Sequence, residues 1–103
     1  MTPEKKVQNE IVKYFEDLAK KGHNVRIERR QAGGLSYKKG MADLWAVYDG
    51  KHIEIEVKKP NGKRTPMQEK WEFMCNQIYI LYCLADSLQT IKNFMNIHFG
   101  LKD

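Results

Sequence analysis

The segment Asp43-Leu44-Trp45-Ala46-Val47-Tyr48-Asp49-Gly50-Lys51-His52-Ile53-Glu54-Ile55-Glu56-Val57-Lys58-Lys59 reads as two strands and the turn between them. Ile53, Ile55 and Val57 alternate with His52, Glu54, Glu56 and Lys58, which is the period of a half-buried strand. Asp49-Gly50 is a dipeptide suited to a tight two-residue hairpin, so the strand at 43–48 folds back onto the strand at 51–58. Glu56 and Lys58 then share one face at the end of their strand, with Asp43 on the strand beside it.

N-terminal to this segment, Thr2-Pro3-Glu4 opens a helix with an N-cap, a proline at the first helical position and an acid in the first turn. Val7, Ile11, Tyr14, Phe15 and Leu18 recur at helical spacing until Gly22. Asn24 to Arg30 is expected to form a first strand, and Gln31 to Gly40, with Gly33-Gly34, a mobile basic loop. After the break at Pro60-Asn61-Gly62, Thr65-Pro66-Met67-Gln68 repeats the helix-start signal with a capping box. This second helix is expected to run to about Asn76 and to bury Met67, Trp71, Met74 and Cys75. Ile78 to Leu84 is continuously apolar, the pattern of a central strand covered on both faces. Asp86-Ser87 caps a last helix that turns Leu88, Ile91, Phe94 and Met95 inward.

The helix between the third and fourth strands forms a crossover, which makes those strands parallel neighbours with right-handed connection. The expectation is an α/β fold, a mixed central sheet flanked by helices on both faces, with residues 1–103 as one domain. A chain of this length buries a little over 60 % of its unfolded surface, enough for a modest core.

The formal charge of +5 is compatible with a polyanionic partner without requiring one. Its distribution says more. Arg26, Arg29, Arg30, Lys38, Lys39, Lys58, Lys59, Lys63 and Arg64 flank the acidic positions. No apolar run reaches the ~18 residues of a membrane span, and Met1 to Lys6 lacks the apolar segment of a signal peptide. Cys75 and Cys83 lack metal-ligand spacing and are expected to be buried free thiols in a reducing cytosol. His23 and His98 form no ligand cluster, so zinc is not expected. His52 reads as a partly exposed surface histidine, and Trp45 and Trp71 as core or interface.

Phosphodiester hydrolysis needs an oxyanion nucleophile at neutral pH and neutralisation of the charge that develops on phosphorus. Mg²⁺ or Mn²⁺ supplies both, and such hard cations take carboxylate and carbonyl oxygens while keeping several waters. Asp43 and Glu56 offer two carboxylates, and the Val57 carbonyl a third oxygen. Lys58 is placed to orient the attacking water or stabilise the charged transition state. Glu54, Glu56 and Lys58 taken alone also match ordinary cross-strand ion pairs. The hairpin, the spacing to Asp43 and the glycine before it favour the site, with Glu54 as a bystander.

Gly40-Met41-Ala42-Asp43-Leu44, Glu56-Val57-Lys58-Lys59-Pro60 and Thr65-Pro66-Met67-Gln68-Glu69-Lys70-Trp71 resemble, in order, the motifs of the VRR-NUC family within the PD-(D/E)XK nuclease superfamily. With the Glu4-x-x-Val7-Gln8 helix start, the resemblance covers most of the chain. It implies a restriction-endonuclease-like core, metal-dependent cleavage of DNA, and homodimers similar to Holliday-junction resolvases. It also implies Asp43 and Glu56 as metal-binding acids, Lys58 as the catalytic lysine and Gln68 as a residue positioning the site or the phosphate backbone. Glu4 fits the family's helix glutamate better than Glu10. The family's proline before the aspartate is Ala42 here, a change expected to affect loop stiffness rather than chemistry.

The leading expectation is a Mg²⁺- or Mn²⁺-dependent DNA endonuclease selective for branched or junction DNA. Arg29, Arg30, Lys38, Lys39, Lys59, Lys63 and Arg64 would be its nucleic-acid contacts. Phe94, Met95, Ile97 and Phe99, or the exposed end of the sheet, are the candidate dimer surface. The rivals are a catalytically idle nucleic-acid-binding module on the same fold, and a restriction-type nuclease, for whose base-reading elements the chain has little room.

Overall fold

The computed structural model describes residues 1–30 and 40–102. Its elements follow the expected order: α1 (Pro3–Lys20), β1 (Val25–Arg29), β2 (Leu44–Tyr48), β3 (Lys51–Val57), α2 (Pro66–Gln77), β4 (Leu81–Ala85) and α3 (Leu88–Phe99). Each helix starts on the residue that its sequence supplies. Thr2, Thr65 and Ser87 accept the backbone N–H of Lys5, Gln68 and Thr90, satisfying donors that the first helical turn leaves without partners. The capping box of α2 is complete, with Thr65 bonded to the Gln68 backbone and the Gln68 side chain returned to the Thr65 backbone.

The sheet order is β1-β2-β3-β4, antiparallel across the first two pairings and parallel between β3 and β4. Asp49 and Gly50 both adopt positive φ, at 49° and 81°, which is the backbone a two-residue hairpin requires. Helix α2 is the crossover that makes β3 and β4 parallel. On one face of the sheet, Ile11, Phe15 and Leu18 of α1 and Ile91 and Met95 of α3 enclose Leu44, Ala46, Ile53, Ile55, Val57, Cys83 and Ala85. On the other face α2 reaches the sheet through Gln68 and Trp71, whose side chains bond Glu56 and Glu54. Both faces are therefore covered.

Strand β3 is consequently buried on both faces from Ile53 to Val57, not half-buried as its alternation implies. The polar half of the pattern is real, but those side chains lie under α2 instead of in water. The apolar run at 78–84 differs in the opposite sense. Only its last four residues enter β4, which is an outer strand of the described sheet. Ile78 and Tyr79 precede it with 67 % and 94 % of their surfaces exposed, and Leu84 is exposed as well. A strand with one neighbour can be apolar throughout without being central.

Helix α2 buries Cys75 but leaves Met67 and Met74 exposed, so its inward face is narrower than the sequence implies. The candidate surface at the last helix is not available as a patch. Met95 is fully buried, Phe94 and Phe99 pack against the core, and only Ile97 is exposed. Cys75 and Cys83 are free and buried, and burial pushes their thiols up to about 11 and about 12. No helix among the described residues is long and apolar enough to cross a membrane.

Gly40 joins the approach to β2 with the start of α2. Its φ is +92°, and a Cβ there would lie 2.6 Å from the Met67 carbonyl oxygen. Glycine alone permits this approach, which brings the first turn of α2 beside the segment leading to Asp43.

Candidate active site

The first turns of α1 meet the ends of β2 and β3 at a cleft of about 170 Å³ lined by Thr2, Glu4, Lys5, Gln8, Asp43 and Val57. Asp43 is fixed there by its own carboxylate. Oδ2 accepts the Val57 N–H at 2.8 Å, one step beyond the last β2–β3 backbone pair, Leu44 with Ile55. The side chain thus takes the place of a ladder carbonyl and ties the Asp43 carboxylate to the end of β3. Glu4 and Gln8 are four residues apart on α1 and share the face turned to the cleft. Glu10 instead lines a separate cleft with Lys13, Tyr14 and Asp17.

Glu56 is 1 % exposed. Its Oε2 accepts the Gln68 side-chain N–H at 3.2 Å. The Gln68 carbonyl oxygen is engaged by the Thr65 N–H at 2.8 Å, which leaves the amide nitrogen directed at the glutamate. Glu56 Oε1 has no hydrogen-bond partner among the described residues. Burial, followed by the charge and hydrogen bonding of Asp43, pushes the carboxyl up to about 9; Glu4 adds to the rise and Lys58 opposes it. In its ionised form this group has few donors among the described residues.

These properties fit a hard divalent cation. Among the described residues no three His, Cys, Asp or Glu side chains form a ligand group. A Mg²⁺-type site does not need one, because such ions bind through one or two carboxylates and keep several waters. Asp43 and Glu56 would supply two carboxylates to such an ion, and the buried Glu56 Oε1, which accepts no hydrogen bond from the described residues, has lone pairs to offer it.

Glu54, the residue expected to be a bystander, is 2 % exposed and bears most of the interactions on this face. Arg30 donates to it through both terminal nitrogens, at 2.5 and 2.8 Å, the Trp71 ring N–H at 3.0 Å, and the His52 Nε2 also bonds it. The Arg30 guanidinium lies 5.9 Å from the Trp71 ring centre, and Trp45 stacks on His52. Burial alone would raise the Glu54 pKa, but the hydrogen bonds from Arg30, His52 and Trp71 and the charge of Arg30 outweigh it and hold the pKa below its ordinary value. His52 is therefore a partner of Glu54 and Trp45, and Trp71 is a structural tether.

The cations expected to meet nucleic acid divide into groups. Lys59 and Lys63 are exposed, and Lys58 is half-buried beside the site. Arg30 is committed to Glu54, and Arg64 to Glu72. Arg29 donates to Gln8 at 2.7 Å, as does Lys5 at 3.2 Å, so both gather on one amide oxygen at the cleft. Lys38 and Lys39, with most of the expected basic loop, lie outside the described residues. Gln8 and Lys5 were not among the expected site residues, although the four-residue spacing of Gln8 from Glu4 is visible in the sequence.

The sequence matches no protein-family model and no curated protein. Solved structures do match. One described as "VRR_NUC domain" superposes with a TM-score of 0.75 at 21 % identity, covering 96 % of this chain and 99 % of that one. A second, described as "VRR_NUC domain protein", gives 0.72 at 18 % identity, over 100 % and 93 %. At these identities the likeness establishes the fold: this chain has the architecture of a VRR_NUC domain, a restriction-endonuclease-like α/β core.

The Glu56 geometry has a consequence for stability. With a folded pKa of about 9 against an ordinary 4.5, the native protein binds more protons than the unfolded chain between those values. Stability of the metal-free protein therefore falls as pH rises across that window, with a slope from this group of at most about 1.4 kcal/mol per pH unit. Urea unfolding in EDTA between pH 5 and pH 9 is expected to show this decline, and Glu56→Gln to flatten it. An equal decline in Glu56→Gln would contradict the assignment.

Proposed function

We propose that this chain is a divalent-metal-dependent nuclease that hydrolyses phosphodiester bonds in DNA, selective for branched or junction structures. The observation that carries the reading is Glu56: a buried carboxylate beside a second one, supplied with a single hydrogen-bond donor among the described residues. A module that only bound nucleic acid would gain nothing from that arrangement, which costs stability at neutral pH.

In this reading Asp43 and Glu56 hold Mg²⁺ or Mn²⁺, with the Val57 carbonyl as a third oxygen. When bound, the ion supplies an acidified water and positive charge for the phosphoryl oxygens. Lys58 orients the attacking water or stabilises the charge that develops on phosphorus. Gln68 holds Glu56 through its amide nitrogen. Glu4, which lines the same cleft as Asp43, contributes a further carboxylate. Arg29 and Lys5, gathered on Gln8, and the exposed Lys59 and Lys63 receive the DNA backbone.

Incubation with plasmid and four-way junction DNA in Mg²⁺, Mn²⁺ or EDTA tests this. Metal-dependent cleavage is expected, with junctions preferred and kcat reduced about 10²- to 10³-fold in Asp43→Asn, Glu56→Gln or Lys58→Met. Cleavage that survives those substitutions would refute the site. Discrete fragments from linear duplex DNA would favour the restriction-type reading instead.

Cutting two strands symmetrically requires two sites, which a two-fold dimer provides. The outer edge of β4 with the exposed Phe73, Ile78 and Tyr79 is the surface we assign to it, in place of the last helix. Sedimentation at micromolar concentration is expected to give a dimer, and a monomer would count against symmetric cleavage.

A further inference from the structure

We propose that Glu54 is a positioning residue for the Asp43–Glu56 site, setting through Arg30 and Trp71 how the two carboxylates meet a divalent cation. The proposal rests on the nuclease reading above and deepens it.

Two chains of contacts leave Glu54 and end at the two acids. The first runs through Arg30. While one nitrogen of the guanidinium bonds Glu54 Oε1, the same nitrogen reaches the Ala42 carbonyl at 3.1 Å, and the Arg30 backbone N–H donates to the Asp43 carbonyl at 2.9 Å. The carbonyls on both sides of the Asp43 Cα are thus held by one residue, whose own side chain is locked in a bidentate pair with Glu54. The Asp43 carboxylate then meets the Val57 N–H from a fixed backbone.

The second chain runs through α2. Gln68 and Trp71 are three residues apart and lie on one helical face. Gln68 bonds Glu56, and Trp71 bonds Glu54. The helix is therefore pinned, antiparallel, to alternate residues of β3. Three residues of helix rise about 4.5 Å and two residues of strand about 6.7 Å, a mismatch that long side chains bridge. Release of the Trp71 tether frees the helix to shift, and with it the amide that holds Glu56. A residue that only stabilised the fold would have no reason to hold both acids through separate routes.

The test uses the full chain and has a readout that needs no metal. Hydrogen exchange of the Val57 amide, followed by NMR in EDTA, reports whether Asp43 is seated. In Glu54→Gln this exchange is expected to quicken about tenfold relative to the Ile53 amide, and Mn²⁺ affinity, read by electron paramagnetic resonance, to weaken about 10- to 100-fold. Ile91→Ala, a core truncation on the opposite face, lowers the Tm without moving either readout. Should Glu54→Gln fail to fold, Trp71→Phe keeps the Arg30 pair and is expected to weaken Mn²⁺ binding while leaving Val57 exchange unchanged. Folded variants with wild-type exchange and affinity would overturn the proposal. Absence of Mn²⁺ binding by the wild type would instead overturn the nuclease reading, and Val57 exchange would then decide the positioning role by itself.

Discussion

Two glutamates stand two residues apart on one face of β3, both withdrawn from water, and the protein treats them in opposite ways. Removing a carboxylate from water costs several kcal/mol unless charge and hydrogen bonds offset it. Glu54 receives two nitrogens of Arg30, the Trp71 ring N–H and His52, and remains ionised. Glu56 receives one amide from the described residues, and burial, with Asp43 and Glu4 adding to it, pushes its carboxyl up to about 9. The first is a finished interaction. In the function proposed above a cation completes the second, so that one strand carries a saturated carboxylate for the fold and an unsaturated one for the proposed site.

The same economy runs through the start of α2. The Gln68 side chain closes the capping box that begins the helix, and its other end holds Glu56. A device usually read as local helix chemistry here also reaches a buried acid of the sheet. Gly40 allows the approach, because a side chain there would strike the Met67 carbonyl. Helix initiation, loop packing and the orientation of a buried acid are thus one structural event.

Features set by neighbours along the chain were legible in the sequence. The caps at Thr2, Thr65 and Ser87, the Asp49-Gly50 hairpin and the parallel crossover follow from spacing and residue type, and the structure has all of them. The motif resemblance and the observed architecture agree on the fold. Asp43 and Glu56 were singled out from the strand and hairpin spacing, whereas Gln68 read locally as a helix-start residue and entered the site only through the motif resemblance; in the structure both Asp43 and Gln68 bear on Glu56. What spacing could not disclose depends on contacts between distant segments. Glu54 and Arg30 are 24 residues apart, and nothing in an alternating strand distinguishes a glutamate that will lie under a helix from one in water. The run at 78–84 misled for a related reason. Hydrophobicity reports an aversion to water, not the number of strand neighbours, and Ile78 and Tyr79 remain exposed.

If Asp43 and Glu56 form the divalent-cation site proposed above, Glu56 must give up its proton when the ion binds. Calorimetric titration of Mn²⁺ into the protein at pH 7.5, in two buffers of different ionisation enthalpy, measures the ion and the proton together. Binding is expected to release about one proton per ion and to be lost in Glu56→Gln, as this assignment requires. Binding without proton release, or binding that persists unchanged in Glu56→Gln, would contradict it.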